Sequence, residues 1–279
     1  MLDLFKNYTI YTLKKFIMKK KFSYDEPKNS LNNRINAHLS FSNFNLHEWV
    51  KKNQNILSGD KILDIGCGNG NFLELFLKMT DKKGEIYAVD KSKDLILEAS
   101  SRFKNENIIF EVNDFDNVEI ENKKFDWIFF IYSIYYTENS DKLIKKIKSY
   151  LSKNGKLVII GPGSGNAIEI DKLNKKVTSL EPKDEYRVRQ KRIEDEFKPV
   201  LEKYFDKKNI NLEIINNEMK FPTKEDLADY YWSTLLWRDS LERLENYDLQ
   251  ALKDKTLQEI SKLDSLVIKK QICCLSGTN

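Results

Sequence analysis

Asp64, Gly66, Gly68 and Gly70 stand in the run Lys61–Phe72, KILDIGCGNGNF, with Cys67 between the first two glycines. Residues of these types suit the holding of a ligand by backbone and carboxylate. Ile62, Leu63 and Ile65 read as a short buried strand, and Asn71–Met79 (NFLELFLKM) has the apolar spacing of a helix. Glycines between such a strand and helix let backbone N–H groups and a helix N-terminus come close to a ligand. Asp90 closes a second apolar run, Gly84–Asp90 (GEIYAVD), twenty residues after Gly70. A carboxylate at that strand end can accept hydrogen bonds from both hydroxyls of a ribose. The dinucleotide fingerprint G-x-G-x-x-G requires a third glycine where this chain has Asn71.

The strand running into D-x-G-x-G-x-G resembles motif I of the class I S-adenosylmethionine-dependent methyltransferases, which Asp64, Gly66, Gly68 and Gly70 match position for position. A sulfonium nucleoside has no pyrophosphate to cradle, so its glycine spacing differs from the dinucleotide pattern. The resemblance implies S-adenosylmethionine as cofactor, S-adenosylhomocysteine as product, and cofactor contacts at Asp64, Gly66, Cys67, Gly68 and Gly70. It assigns the ribose to Asp90. The next residue in the family is commonly apolar and packs on the adenine; here it is Lys91, whose aliphatic stem is the available substitute. Asn107–Asp114 reads as a third strand. The family's acid at its end accepts from the adenine amino group and the next N–H donates to the ring, which points to Asp114 and Phe115. Asp116 is the neighbouring alternative, and a loop-start hydrogen bond is the other role open to Asp114. Phe125–Ser133 (FDWIFFIYS) resembles the family's motif IV, which ends over the transferable methyl, and Ile131 is counted among the cofactor contacts.

Tyr135 and Tyr136 stand where many small-molecule members have a histidine pair. Two phenols there hold a substrate, accept its proton if one is acidified, or form an amphipathic wall. His38, with Arg34 and Tyr24, belongs to an N-terminal segment that often folds over the pocket in related enzymes; a surface or capping role is the alternative for each. Tyr231 and Trp232, in the aromatic helix Thr223–Trp237, are expected to line the pocket, with the other aromatics forming a core. Methyl transfer from a sulfonium is an in-line displacement that needs proximity, alignment and exclusion of water. An amine acceptor must arrive neutral, and a hydroxyl needs help losing its proton. The chain lacks an N-P-P-Y-type tetrapeptide after the fourth strand, a Pro-Cys pair and a paired-glutamate loop. It also has no carboxylate cluster for magnesium at that strand end, so no metal is expected. The resemblance therefore implies transfer to oxygen or nitrogen of a small-molecule acceptor. An RNA-modifying enzyme and a non-catalytic cofactor-binding relative are the alternatives.

These residues need a frame. Residues 60–161 give five strands alternating with crossovers, and Asn211–Phe221 and Ser265–Leu275 add two more. The expected fold is an α/β doubly wound, mostly parallel seven-stranded sheet with N-terminal helices and a helical cap inserted before the last strand. Residues 1–57 are read as a helical extension or lid, 58–279 as the cofactor-binding domain, and about 222–263 as the cap. Ala167–Val177 and Arg192–Phe205 are expected helices joined by a charged linker.

The 279 residues are 41% hydrophobic and 32% charged with net charge +4, and the lysines lie among acids; this favours a globular protein over a nucleic-acid binder. Three cysteines without C-x-x-C spacing give no disulfide framework or zinc site. The apolar leader before Lys19–Lys21 is a packed or interfacial helix, broken by Lys14 and Lys15 as a signal peptide would not be. No run is long enough to span a bilayer, so a cytoplasmic monomer or homodimer is expected.

Overall fold

The computed structural model describes residues 28–120 and 123–279; the leader of residues 1–27, including Tyr24, lies outside the described residues. The sheet has seven strands in the order β3-β2-β1-β4-β5-β7-β6. They are β1 (Ile62–Ile65), β2 (Ile86–Asp90), β3 (Ile108–Val112), β4 (Phe125–Ile131), β5 (Leu151–Pro162), β6 (Ile210–Lys220) and β7 (Val267–Thr278). The first five pair in parallel, and β7 inserts antiparallel between β5 and β6. All four residues of β1 are buried, as a central parallel strand covered on both faces requires.

Strand alternation sends side chains to two separate cores. Leu63, Ile65, Ile128 and Phe130 join one, with Leu143, Ile144 and Ile147 of helix α5 (Ser140–Tyr150). Ile62 and Phe129 join the other, with Leu73, Phe76 and Leu77 of α3 (Leu73–Met79) and Ala99 of α4 (Lys93–Arg102). The sheet is therefore wound on both faces. Ahead of it lie α1 (Lys28–Phe41) and α2 (Leu46–Asn53), the latter capped by the Asn45 side chain.

After β5 come α6 (Ile168–Thr178) and α7 (Asp184–Arg192), then a π-turn at Ile193–Phe197 leading into α8 (Lys198–Tyr204). The segment expected as a charged linker is thus mostly helix α7. Its composition hides this because what it buries is partly polar. Gln190 and Arg192 are buried, and the Arg192 guanidinium donates to Tyr135 O and Thr137 O at 2.8 Å each while pairing with Glu196.

Between β6 and β7 stand α9 (Lys224–Trp232), α10 (Leu235–Arg243) and α11 (Leu249–Ile260). Their core is shared with Ile170 and Leu173 of α6 and Ala37 of α1. The helical layer over this end of the sheet therefore draws on three separate parts of the sequence. Arg34 donates to Ser233 O at 2.7 Å, and Asn43 N–H to Glu218 O at 3.0 Å, tying α1 and the chain after it to the cap and β6.

Candidate functional site

The turn after β1 is held by hydrogen bonds to β2. Gly66 and Cys67 N–H donate to Val89 O at 2.7 and 3.0 Å, and Gly68 N–H donates to Asp90 Oδ2 at 2.8 Å. The other Asp90 oxygen accepts from Ser92 N–H at 2.8 Å. Asp90 therefore fixes the glycine turn as well as facing the space above it. Gly66 has φ +74°, and a Cβ there would lie 2.3 Å from Ser133 Cβ, so a side chain has no room.

Two acids meet at this turn. Asp64, buried on β1, has its carboxyl pushed up to about 7, by burial first and by Asp90 second. Asp90 is also raised, chiefly by burial, with the Ser92 and Gly68 N–H groups pulling the other way. A cation arriving between them would favour the carboxylate forms of both. Burial and these same acids push the Cys67 thiol up, which makes it inert.

Above the carboxyl ends of the strands, where open α/β sheets receive ligands, lies a cavity of about 560 Å³. That is within the span of roughly 300–1,000 Å³ typical of small-molecule sites. Asp64, Gly66, Cys67, Gly68, Asp90 and Lys91 line one end, with Leu95 and Phe115 forming an apolar slot beside them. Ile131, Arg34, His38, Tyr135 and Tyr136 line the remainder, so twelve of the sequence-predicted residues come around one space. Burial, with Lys270 and Arg34 adding to it, holds the His38 imidazole down to about 3, so it stays neutral and is a weak base. Rings of Tyr135 and Tyr136 pack together with centroids 4.8 Å apart.

Four expected residues sit elsewhere. Gly70 has φ +80° but faces Leu73, 2.9 Å from where a Cβ would be, and serves the strand-to-helix turn. Asp114 is outside the cavity wall, and its Oδ1 accepts from Asp116 N–H at 3.0 Å, the loop-start role. Asp116 in turn accepts from Thr137 Oγ1 and from Glu138 N–H. Tyr231 is fully buried in the cap core and donates to Asn174 Oδ1 at 2.8 Å, while Trp232 Nε1 donates to Thr256 Oγ1 at 3.3 Å. A helix shows successive residues to different sides, and it is Tyr230, one position earlier, that reaches the cavity.

Several lining residues escaped the sequence reading: Tyr132, Tyr186, Arg189, Tyr230 and Lys270. Tyr132 follows β4 with φ +55°, a conformation uncommon for a bulky residue, which turns the chain at the site. Burial pushes the Tyr132 and Tyr186 phenols up, so both are hydrogen-bond donors at neutral pH. Lys270 had a readable signal. It shares the buried face of β7 with Ile268, Ile272 and Cys274, and interrupts that apolar row.

His47, the second histidine, stacks on Phe72 with centroids 4.2 Å apart, and its Nε2 lies 2.9 Å from Asn71 O. The three cysteines are buried free thiols. Among the described residues no helix is long and apolar enough to cross a membrane.

Comparison with known proteins agrees with this architecture. Residues 56–203 match the family described as "Methyltransferase domain". The chain is similar to a tRNA U34 carboxymethyltransferase of Campylobacter curvus, 30% identical over 105 residues, covering 37% of this chain and 35% of that protein. It is also similar to a carboxy-S-adenosyl-L-methionine synthase of Helicobacter pylori, 27% identical over 107 residues, covering 38% and 45%. The chain thus spans less than half the length of either relative. Among solved structures, phosphoethanolamine N-methyltransferase 2 of Haemonchus contortus in complex with S-adenosyl-L-methionine superposes with TM-score 0.51 at 19% identity, over 82% of this chain and 51% of that one. That likeness shows the fold alone.

Proposed function

We propose, for a chain that belongs to the methyltransferase-domain family and is an S-adenosylmethionine-dependent methyltransferase, that the methyl passes to oxygen or nitrogen of a small molecule held in the 560 Å³ cavity. The observation carrying this reading is the continuity of one space. It runs from the glycine turn to a tyrosine-lined chamber roofed by α1 and the cap.

When bound, S-adenosylmethionine supplies an electrophilic methyl on a sulfonium. Asp64 would take the ammonium of its methionine part, and Asp90 the ribose hydroxyls. The Lys91 stem, Leu95 and Phe115 would flank the adenine, and Gly66 and Gly68 would let the backbone approach. Tyr135 and Tyr136, beside Ile131, orient the acceptor. Apolar walls exclude water, so proximity and alignment supply most of the acceleration. His38 is a weak base, and Tyr132 and Tyr186 are held protonated. An acceptor that arrives with a free lone pair, such as a neutral amine, suits such a site better than one that must be deprotonated.

The similarity to a tRNA-modifying protein favours a second reading, in which a flipped base enters the chamber. Labelled methyl donor incubated with a metabolite extract and with bulk tRNA separates the two. Label in low-molecular-weight product supports the first reading, and label only in tRNA overturns it.

A further inference from the structure

We infer that the chamber beyond the cofactor end is an oxyanion subsite, so that the acceptor carries a carboxylate or phosphate group gripped by Lys270 and Arg189. This rests on the methyltransferase reading above and names the chemical class of its acceptor.

Lys270 is 7% exposed, on a strand face otherwise made of Ile268, Ile272 and Cys274. Its Nζ has a neutral partner, Tyr230 OH at 3.1 Å, and among the described residues no carboxylate pairs with it. A buried ammonium without a counter-charge is costly, and its position on the cavity wall lets a ligand supply that charge. Arg189, half-buried on α7, lies over the Tyr136 ring at 5.5 Å and donates from Nε to Glu185 O at 3.3 Å. It too has no ion-pair partner among the described residues.

The cavity's acids are at the opposite end. Among its described lining residues the carboxylates are Asp64 and Asp90. Asp64 is on β1 and Lys270 on β7, with β4 and β5 between them. Three strand spacings make about 14 Å, too far for neutralisation. The groups around Lys270 on the cavity wall are neutral, with the Asn217 amide in register with it on β6 and phenols beside it. Tyr186 and Tyr132 are protonated phenols, and His38 is kept neutral by burial, with Lys270 and Arg34 adding to it. Cations and phenol donors around an apolar chamber recognise an oxyanion on an organic body.

Calorimetric titration of the full chain with benzoate, phenyl phosphate and neutral benzamide tests this, with and without saturating S-adenosylhomocysteine. At least one of the two anions should bind tenfold or more tightly than benzamide with S-adenosylhomocysteine present. Lys270→Met should erase that gap, and Arg189→Gln, at a half-buried helix position, should narrow it severalfold, while both variants keep wild-type affinity for S-adenosylhomocysteine. Equal or absent binding of the three probes overturns the inference, as does a gap that survives both substitutions. Loss of S-adenosylhomocysteine binding in folded Lys270→Met would assign the lysine to the donor's carboxylate and overturn it equally. A wild type that never binds S-adenosylhomocysteine overturns the donor reading itself, and this inference with it.

Discussion

Removing the charge of Asp64 should strengthen the ligand-free fold while weakening the site. Its carboxyl is pushed up to about 7 by burial and by Asp90, against an ordinary value of 3.8. Between those values the native chain holds a proton that the unfolded chain has released, so stability falls as pH rises across that interval and levels off above about 7. Each pKa unit is worth about 1.36 kcal/mol. Slightly more than three units therefore make ionised, unliganded Asp64 a burden of about 4 kcal/mol at pH 8. Asp64→Asn keeps the shape and removes the charge. Urea unfolding of both proteins from pH 3 to pH 8 should show near-equal stability at pH 3 and a lead of about 1.5 kcal/mol for the variant at pH 5. At pH 8 the variant should be the more stable by up to about 4 kcal/mol. The same variant should bind S-adenosylmethionine more weakly, because the ammonium loses its counter-charge, and wild-type affinity should rise with pH up to about 7. A variant less stable than wild type by the same amount at pH 3 and pH 8 would refute the electrostatic reasoning.

Gly66→Ala should destabilise by about 2–5 kcal/mol, combining left-handed strain with overpacking against Ser133; in a denaturation cycle, adding Ser133→Gly should recover part of it, and strict additivity would exclude the clash. Asp90→Ala removes the acceptor for Gly68 and Ser92 N–H, so it should cost about 1–3 kcal/mol in unfolding as well as cofactor affinity. Unchanged stability would deny its hold on the turn. Arg192→Met strips two carbonyls, of Tyr135 and Thr137, of their shared donor, and should lower stability by about 3 kcal/mol and slow turnover through the loosened loop. Wild-type values in both assays would remove that role. Tyr135→Phe and Tyr136→Phe report on the acceptor: a raised KM with kcat kept indicates holding, and wild-type rates in both would take the phenols out of the site.

The parts legible in the sequence obey short-range rules. A buried tetrapeptide before glycines announces β1 and its turn, and apolar runs at regular spacing announce the parallel strands. Family resemblance pointed to Asp90, Lys91 and Phe115, which stand at or just beyond strand ends and line the cavity. Asp114, to which it also pointed, lies off the cavity wall, its carboxylate closing its own loop. The tyrosine-lined end was less legible because its residues come from β4, β7, α1, α7 and α9 and the turns beside them, and only the folded chain brings them together. Tyr230 rather than Tyr231 faces the cavity because helix rotation, set by packing against α6 and α11, decides which of two adjacent tyrosines turns inward. Helix α7 was hidden by polar burial, which apolar periodicity does not record.

The central claim is donor binding at the glycine turn, and calorimetric titration of the wild-type chain with S-adenosylmethionine, S-adenosylhomocysteine and NAD measures it directly. Micromolar binding of the first two with one site per chain, weakened by Asp90→Ala, and no heat from NAD is the predicted result. Binding of NAD, or silence toward both sulfur nucleosides by folded protein, would contradict the account.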